Sequence, residues 1–392
     1  MDELTLCQAF LKNSSIHPLT GQALSPNDPV YQELQTRCSK YARTERVVNF
    51  AYLPSISGEF SLPTLTGQFT MPTEVWRTLT SDNLLITDTS PTMKYQKRQP
   101  GEKINVHWGQ RKLLLAEIQF FTLHFDRMKY QRATVVYAGA APGTHIIFLS
   151  QMFPELTFHL YDPRPFAHGL HDNVRRFTYQ KFFTDDDAKQ WAGRNDIFFI
   201  SDVRTSEYRS KDDQENEQLV LADMQSQARW VQIILPVAAS LKFRLPYGYE
   251  GVNSNLQYLD GTVYKQSWAP PRSTETRLVP KLDAPLKIWD IFKYEGQLFH
   301  QNVVVRGKEK FYNPFDGSKN PPNSDELIND YDSVSEILIL RDYLTKYGLS
   351  SNPATIIAWS KRITQELNPG RSVRDWITLA KIRANASLGT ED

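Results

Sequence analysis

The stretch from Ala133 to Asp162 restricts the fold more than any other part of this sequence. Ala133, Thr134, Val135, Val136 and Tyr137 form a short apolar, β-branched run of the kind that makes a buried strand. The run breaks into Gly139, Ala140, Ala141, Pro142 and Gly143, after which Ile146, Ile147 and Leu149 return at helical spacing. A second run, Leu156 to Tyr161, ends in Asp162, about 20 residues beyond the glycines, where a nucleotide-binding unit places the acid that holds a ribose. Strand, tight turn, helix and strand predict a cradle at the carboxyl edge of a parallel sheet.

Gly139 and Gly143 let the backbone turn sharply and approach a ligand with no Cβ in the way, and Pro142 stiffens the entry to the helix. A purely structural turn and a nucleoside site remain equal readings of these residues alone. The third glycine that dinucleotide binders place beside a pyrophosphate is missing. The spacing therefore favours a cofactor without phosphates, S-adenosylmethionine first among them.

Other runs continue the pattern. Gly109 to Met128 predicts a helix with Leu114, Ile118, Phe121 and Phe125 on its packing side. Lys112 falls in its first turn, where the helix dipole disfavours a cation; it is either merely solvated or held there by a task. Phe177–Gln180, Ile197–Ile200, Pro236–Phe243 and Thr274–Val279 read as strands, and Gln214–Ile234 as a helix. The alternation predicts an α/β, doubly wound, mostly parallel sheet of Rossmann type, with ligands outside the carboxyl ends of the strands. Asp202 occupies that address; Lys242 and Glu275 are strand-associated charges that a surface salt-bridge network would explain one by one, and the case for function is collective, that all three converge where the cradle places its ligand.

Apolar residues make up 40% of the 392, enough for a substantial core, and 45 basic side chains nearly cancel 44 acidic ones. Nucleic-acid binding would have to come from a local patch, and Lys94, Lys97, Arg98 and Lys103 offer one. Cys7 and Cys38 stand alone, which argues against a disulfide framework or a cysteine zinc site and suits a reducing, cytoplasmic setting. No apolar run approaches the ~20 residues of a membrane span, and no metal-ligand constellation is visible. The expected organisation is an N-terminal extension and basic loop (1–108), a catalytic sheet domain (109–312) and a helical C-terminal segment (313–392). Segments Asp325–Tyr347, Ala354–Leu367 and Val373–Ala386 supply the helices, joined through a turn-rich linker from Asn313 to Ser324.

Five motifs taken together resemble the poxvirus-type cap-specific mRNA 2′-O-methyltransferase, which also serves as the small subunit of the viral poly(A) polymerase. They are Gly109–Leu115, Tyr137–His145, Ile200–Arg204, Ser240–Arg244 and Glu275–Leu278. The resemblance implies a methyltransferase fold and a catalytic tetrad of Lys112, Asp202, Lys242 and Glu275. It implies S-adenosylmethionine contacts at Gln110, Tyr137, Gly139, Gly143, Asp162, Arg164 and Asp202, with Phe183 against the adenine. Tyr95 and Tyr247 match rings that stack on a methylated guanine, and Glu295 matches an acid that reads its edge. An acid expected two residues after Tyr247 is replaced by Tyr249, with Glu250 beside it.

The implied reaction is attack of a ribose 2′-hydroxyl on a sulfonium methyl, with Lys242 as base or orienting group. Arg204, Arg244 and Arg277 suit the phosphates of capped single-stranded mRNA. Three rivals remain: a non-catalytic RNA-binding subunit of a poly(A) polymerase, a cap-independent RNA 2′-O-methyltransferase, and a nucleotide-dependent oxidoreductase.

Overall fold

Hydrophobic alternation and glycine breaks set the elements, which a computed structural model places in space. It describes residues 6–38 apart from 8, 11 and 12, and residues 74–96, 108–205, 213–247, 254–270, 272–323 and 327–367. The chain divides into two compact units, Met1–Phe69 and Thr70–Asp392. Part of the N-terminal extension (residues 39–73), the basic residues Lys97, Arg98 and Lys103, and the segment expected as a helix at Val373–Ala386 lie outside the described residues.

In the first unit, helix α1 (Pro29–Cys38) begins with proline at its first position, and the Asp28 carboxylate accepts the Val30 N–H at 2.9 Å. Its buried side gathers Leu6, Cys7, Phe10, Leu34 and Cys38 into a very small core. Cys7 and Cys38 form a disulfide there, which corrects the expectation of two isolated thiols. A separation of 31 residues says nothing about proximity until the helix folds back on the N-terminal turn. So small a core gains a large share of its stability from such a crosslink.

The second unit contains, in chain order, β1 (Trp76–Arg77), β2 (Leu85–Ile86), α2 (Gly109–His124), β3 (Ala133–Ala138), α3 (Thr144–Met152), β4 (Leu156–Tyr161), β5 (Arg176–Tyr179), α4 (Asp185–Trp191) and β6 (Ile197–Ser201). Then come α5 (Asp213–Ile234), β7 (Ala238–Phe243), β8 (Asn255–Tyr258), β9 (Gly261–Tyr264), β10 (Thr276–Pro280), β11 (Lys287–Asp290), α6 (Ile291–His300), β12 (Lys310–Phe311), α7 (Tyr331–Lys346) and α8 (Pro353–Leu367). A π-helical turn, Gln301–Val305, extends α6.

Eight strands form the main sheet in the order β2-β9-β10-β7-β6-β3-β4-β5. The five from β7 to β5 are parallel, and β10, β9 and β2 add an antiparallel edge. Alternate residues of β3 face opposite cores. Val135 and Tyr137 pack with α2, α3 and the C-terminal helices, while Val136 and Ala138 pack with α4 and α5. Burial on both faces explains why the run is apolar throughout rather than alternating. The expected doubly wound sheet is thus present, with the β2 and β9 edge in addition.

The C-terminal helices are not an appended lobe. Ile337, Leu340 and Leu344 of α7 and Ile356 and Ile363 of α8 share one core with Leu114, Leu115 and Ile118 of α2. An ion pair fastens the contact: Arg111 donates to Glu336 through Nε (2.9 Å) and Nη2 (2.5 Å) and to Thr364 Oγ1 through Nη1 (2.8 Å). Both charged side chains are 0% exposed. Trp268 Nε1 adds a third donor to Glu336 at 2.7 Å. Removing one member strands a buried charge, so Glu336→Leu should cost about 3–5 kcal/mol in urea unfolding, whereas Arg111→Met combined with Glu336→Leu should recover much of the loss. An additive double variant would contradict a coupled pair.

Candidate active site

The topology creates a crevice at one place. From β3 the chain winds outward through β4 and β5, then returns to the other side of β3 as β6 and β7, so the strand order reverses between β3 and β6. Ligands of doubly wound sheets lie outside the carboxyl ends at such a switch point. Gly139 ends β3 there and Asp202 ends β6.

The glycine turn is tight for reasons internal to the chain. At Gly139 (φ +82°) a Cβ would lie 2.7 Å from the Asp202 carbonyl carbon and the Val203 nitrogen. At Gly143 (φ +70°) it would meet Leu170 at 2.7 Å and the Ala140 carbonyl oxygen at 2.9 Å. The end of β6 crowds Gly139, and Leu170 with the turn's own Ala140 carbonyl crowds Gly143, so internal packing by itself calls for glycine at both positions.

Side chains at this edge are charged and they meet. β7 and β10 pair with Lys242 directly opposite Arg277, which puts two cations side by side on one face. Asp202 and Glu275 relieve the repulsion. Asp202 Oδ1 lies 3.2 Å from Lys242 Nζ and 2.5 Å from Arg277 Nη2, and Glu275 Oε2 lies 3.4 Å from Lys242 Nζ. Lys112 reaches in from the first turn of α2 and donates to Glu275 Oε1, the compensation its position calls for. Gln266, buried, bridges the group by donating to Glu275 Oε1 at 3.3 Å and accepting from Arg277 Nε at 3.2 Å. Four segments far apart in sequence thus deliver Lys112, Asp202, Lys242 and Glu275 to one cluster.

Burial pushes the Asp202 and Glu275 carboxyls up, but the surrounding cations outweigh it: Lys242 and Arg277 hold Asp202 below its ordinary value, and Lys112, Lys242 and Arg277 hold Glu275 well below. Burial lowers the Lys112 ammonium, with Glu275 opposing. Beneath the glycine turn a buried chain of contacts runs from Gln110 Oε1 to His145 Nδ1 (2.8 Å), from His145 Nε2 to Glu117 Oε1 (3.1 Å), and from Glu117 to the Tyr137 hydroxyl (2.8 Å). Burial and Glu117 raise Tyr137 well above its usual value, so it stays a neutral donor.

A cationic nucleoside fits the donor set at this edge. Carboxylates stand on both sides of the turn, Asp162 at the end of β4 and Asp202 at the end of β6. Asp162 is already engaged: Oδ1 accepts Arg164 N (2.9 Å) and Nε (3.0 Å), and Oδ2 accepts Ala141 N (3.0 Å) and Arg164 Nη2 (2.9 Å). The Arg164 side chain that covers it is 66% exposed, so it is the part of this arrangement open to solvent. Phe183 is buried among Tyr161, Phe199 and Trp230, and Gln110 Oε1 accepts from Thr144 Oγ1 at 2.8 Å beside the start of α3.

The three arginines expected on phosphates separate. Arg204 is exposed. Arg277 is 3% exposed and locked into the charge cluster. Arg244 forms a two-pronged pair with Glu217 at 2.9 and 3.0 Å, its guanidinium 4.5 Å from the Tyr247 ring centroid. Arg244 and Arg277 are thus each engaged by an internal carboxylate, Glu217 and Asp202. Tyr95 and Tyr247 are brought together, centroids 5.2 Å apart and 26° from parallel, and Glu295 is buried on α6. Tyr249 and Glu250 lie outside the described residues. Among those described, no helix is long and apolar enough to cross a membrane and no His, Cys, Asp and Glu group is placed to hold a metal.

Sequence reasoning missed Gln266, Glu217 and Glu117, single polar residues with no motif around them. Alternation puts Arg277 on the same strand face as Glu275, a signal for its place in the charge cluster.

Residues 80–369 match the family described as poly A polymerase regulatory subunit. The chain belongs to that family. Residues 6–40 match the 2-cysteine adaptor domain, in agreement with the Cys7–Cys38 bond. Among relatives of this regulatory-subunit family member, the cap-specific mRNA (nucleoside-2′-O-)-methyltransferase of Myxoma virus (strain Lausanne) is 29% identical over 272 residues, 66% of this chain and 75% of the relative. The protein of the same description from Fowlpox virus (strain NVSL) is 31% identical over 216 residues, 51% of this chain and 68% of the relative. A solved structure of bluetongue virus VP4 is similar at TM-score 0.33 and 11% identity over 64% of this chain and 44% of that one, too slight a likeness to carry an argument.

A carboxyl whose folded value lies below its unfolded one adds stability that is complete above the unfolded value, near 4, and lost as pH falls through the folded value. Glu275→Gln should therefore lower the melting temperature at neutral pH and flatten the acid limb below about pH 4. Melting curves across that range check it, and parallel acid limbs in the two proteins would remove Glu275 from the linkage.

Proposed function

We propose that this chain transfers a methyl group from S-adenosylmethionine to the ribose 2′-hydroxyl of the nucleotide beside the 5′ cap of mRNA. The observation that carries the reading is the convergence of Lys112, Asp202, Lys242 and Glu275 at the switch point of the sheet. The names of the viral relatives support the same reaction.

S-adenosylmethionine, when bound, supplies an electrophilic sulfonium methyl. The chain's own residues do the rest. Asp202 and Glu275 grip the Lys242 ammonium from two sides, which fixes its remaining N–H toward the crevice. From there Lys242 donates to the 2′-hydroxyl oxygen and orients it; to take the hydroxyl proton it must first give up one of its own, so that an amine lone pair faces the hydroxyl as the O–C bond forms and the sulfur–methyl bond breaks. Lys112 holds Glu275 and Arg277 holds Asp202, so neither carboxylate is free to turn away. Asp162 is the acceptor suited to the ribose of the donor, once Arg164 has moved. In the cap pocket, Tyr95 and Tyr247 are the rings and Glu295 the acceptor for a methylated guanine. The rings must part to roughly 7 Å, two van der Waals layers, to admit a base.

The family description supports a second role beside the first, as the RNA-holding partner of a poly(A) polymerase catalytic subunit. Intact transfer residues do not conflict with such a role.

Lys242→Met should abolish methylation of capped RNA while donor affinity stays within a few fold; retained turnover would remove Lys242 from the reaction. Tyr247→Ala should weaken capped RNA about tenfold more than uncapped RNA, since a cation–π contact contributes up to about 2 kcal/mol when desolvated. Equal loss on both RNAs, measured by filter binding, would refute the pocket.

A further inference from the structure

A platform stands apart from the charge cluster. β1 and β12 pair in parallel, Trp76 opposite Lys310 and Arg77 opposite Phe311. Strand alternation therefore puts Trp76, Thr78, Lys310 and Tyr312 on one face of this ribbon. Leu79 and Phe311, on the other, belong to the main core. The first face stays partly open. The Trp76 and Tyr312 rings are 5.6 Å apart and tilted by 39°, and the Lys319 ammonium lies 5.2 Å from the Trp76 ring.

Beside Tyr312 is a cavity of about 350 Å³ lined by Thr78, Leu79, Tyr312, Asn313, Pro314 and Gly317. Its wall is the turn-rich span expected as a linker, and it is pinned: the Asn313 carbonyl accepts Gly317 N–H at 2.8 Å, Asn313 N–H donates to Ser318 O at 2.8 Å, and Asn313 Oδ1 accepts Phe315 N–H at 3.0 Å. The volume is at the lower end for small-ligand sites, ~300–1,000 Å³, and takes a base with its sugar rather than a folded partner.

Charge selects the ligand. Glu309 is taken up by Arg77 at 2.6 Å, Glu74 accepts from Trp76 Nε1 at 3.3 Å, and Asp316 accepts Ser318 N–H at 2.9 Å. Lys310, opposite Trp76 in the ribbon, and Lys319, over its ring, put two cations beside rings that touch at 5.6 Å but are splayed by 39°. Wedged aromatics with cations at their margin suit an unpaired base and its phosphates. A proline-rich peptide would use the rings but not the lysines.

We propose that the Trp76–Tyr312 face is a second contact for single-stranded RNA, stacking one or two unpaired bases. It shares no residue with the transfer site and does not depend on the methyl-transfer reading, because binding is measured without a methyl donor.

The test uses the full chain and a labelled, uncapped single-stranded RNA of about 15 nucleotides, followed by fluorescence anisotropy. Trp76→Ala and Tyr312→Ala should each weaken binding roughly tenfold, and Trp76→Phe should restore most of it. Lys319→Glu should reduce the slope of log affinity against log salt by about one. Methylation of a short capped RNA should be unchanged in all of them. Affinity within twofold of wild type for Trp76→Ala overturns the proposal, as does duplex RNA competing as well as single strands. A proline-rich peptide that binds wild type but not Trp76→Ala, with RNA affinity unchanged, also overturns it. Absence of methyl transfer in the wild type would sink the transfer reading and leave this result intact.

Discussion

Two cations facing each other across paired strands set the terms for the whole carboxyl edge of the sheet. Lys242 and Arg277 occupy one register position of β7 and β10, and like charges so placed repel unless acids intervene. Asp202 comes from the end of β6 and Glu275 from the residue before β10, so relief requires β6, β7 and β10 to be in their observed order. With Lys112 included, three cations surround two carboxylates, and the cluster is left one positive charge in excess. A buried group of this kind is poor at adding stability, since desolvation offsets most of the attraction. It does make the arrangement specific: any slip of β10 by one residue would turn Arg277 away from Asp202 and leave a carboxylate exposed to burial without a partner.

Lys112 is held from behind. Its neighbour Arg111, about 100° further round α2, is gripped by Glu336 of α7 and Thr364 of α8. The helix that presents a cation to the crevice is therefore fixed by residues more than two hundred positions later. The C-terminal helices therefore belong to the main core: they bury Arg111 and supply its counterion, and they pack on Leu114, Leu115 and Ile118 of the same helix.

Much of the frame was legible. The buried run at Ala133, the glycine break and the return of helical spacing after Thr144 reproduce β3, the turn and α3, because burial on both faces leaves few residue types to choose from. Lys112 announced itself by sitting where a helix dipole disfavours it. The short edge strands β2 and β9 were not legible, since two to four residues carry no period. The disulfide and the Arg111–Glu336 pair were hidden for another reason: each depends on a long-range contact, and neither partner has an unusual neighbourhood in sequence. Arg277 shows the middle case. Alternation gave its face, but only the pairing with Lys242 reveals that the face is interior.

The same logic bears on how the proposed cap pocket discriminates. Tyr95 and Tyr247 now rest on each other, so admitting a base breaks an aromatic contact of about 0.5–1.5 kcal/mol. A neutral guanine replaces it with ordinary stacking and gains little. A methylated, cationic guanine recovers up to about 2 kcal/mol more from the ring faces, enough to open the pair and leave a surplus. Arg244 already lies over Tyr247 and is kept there by Glu217, which commits one side of that ring and leaves the other for the ligand. Selectivity for the charged base would then come from the closed state itself, because only a ligand that outbids the ring–ring contact gets in.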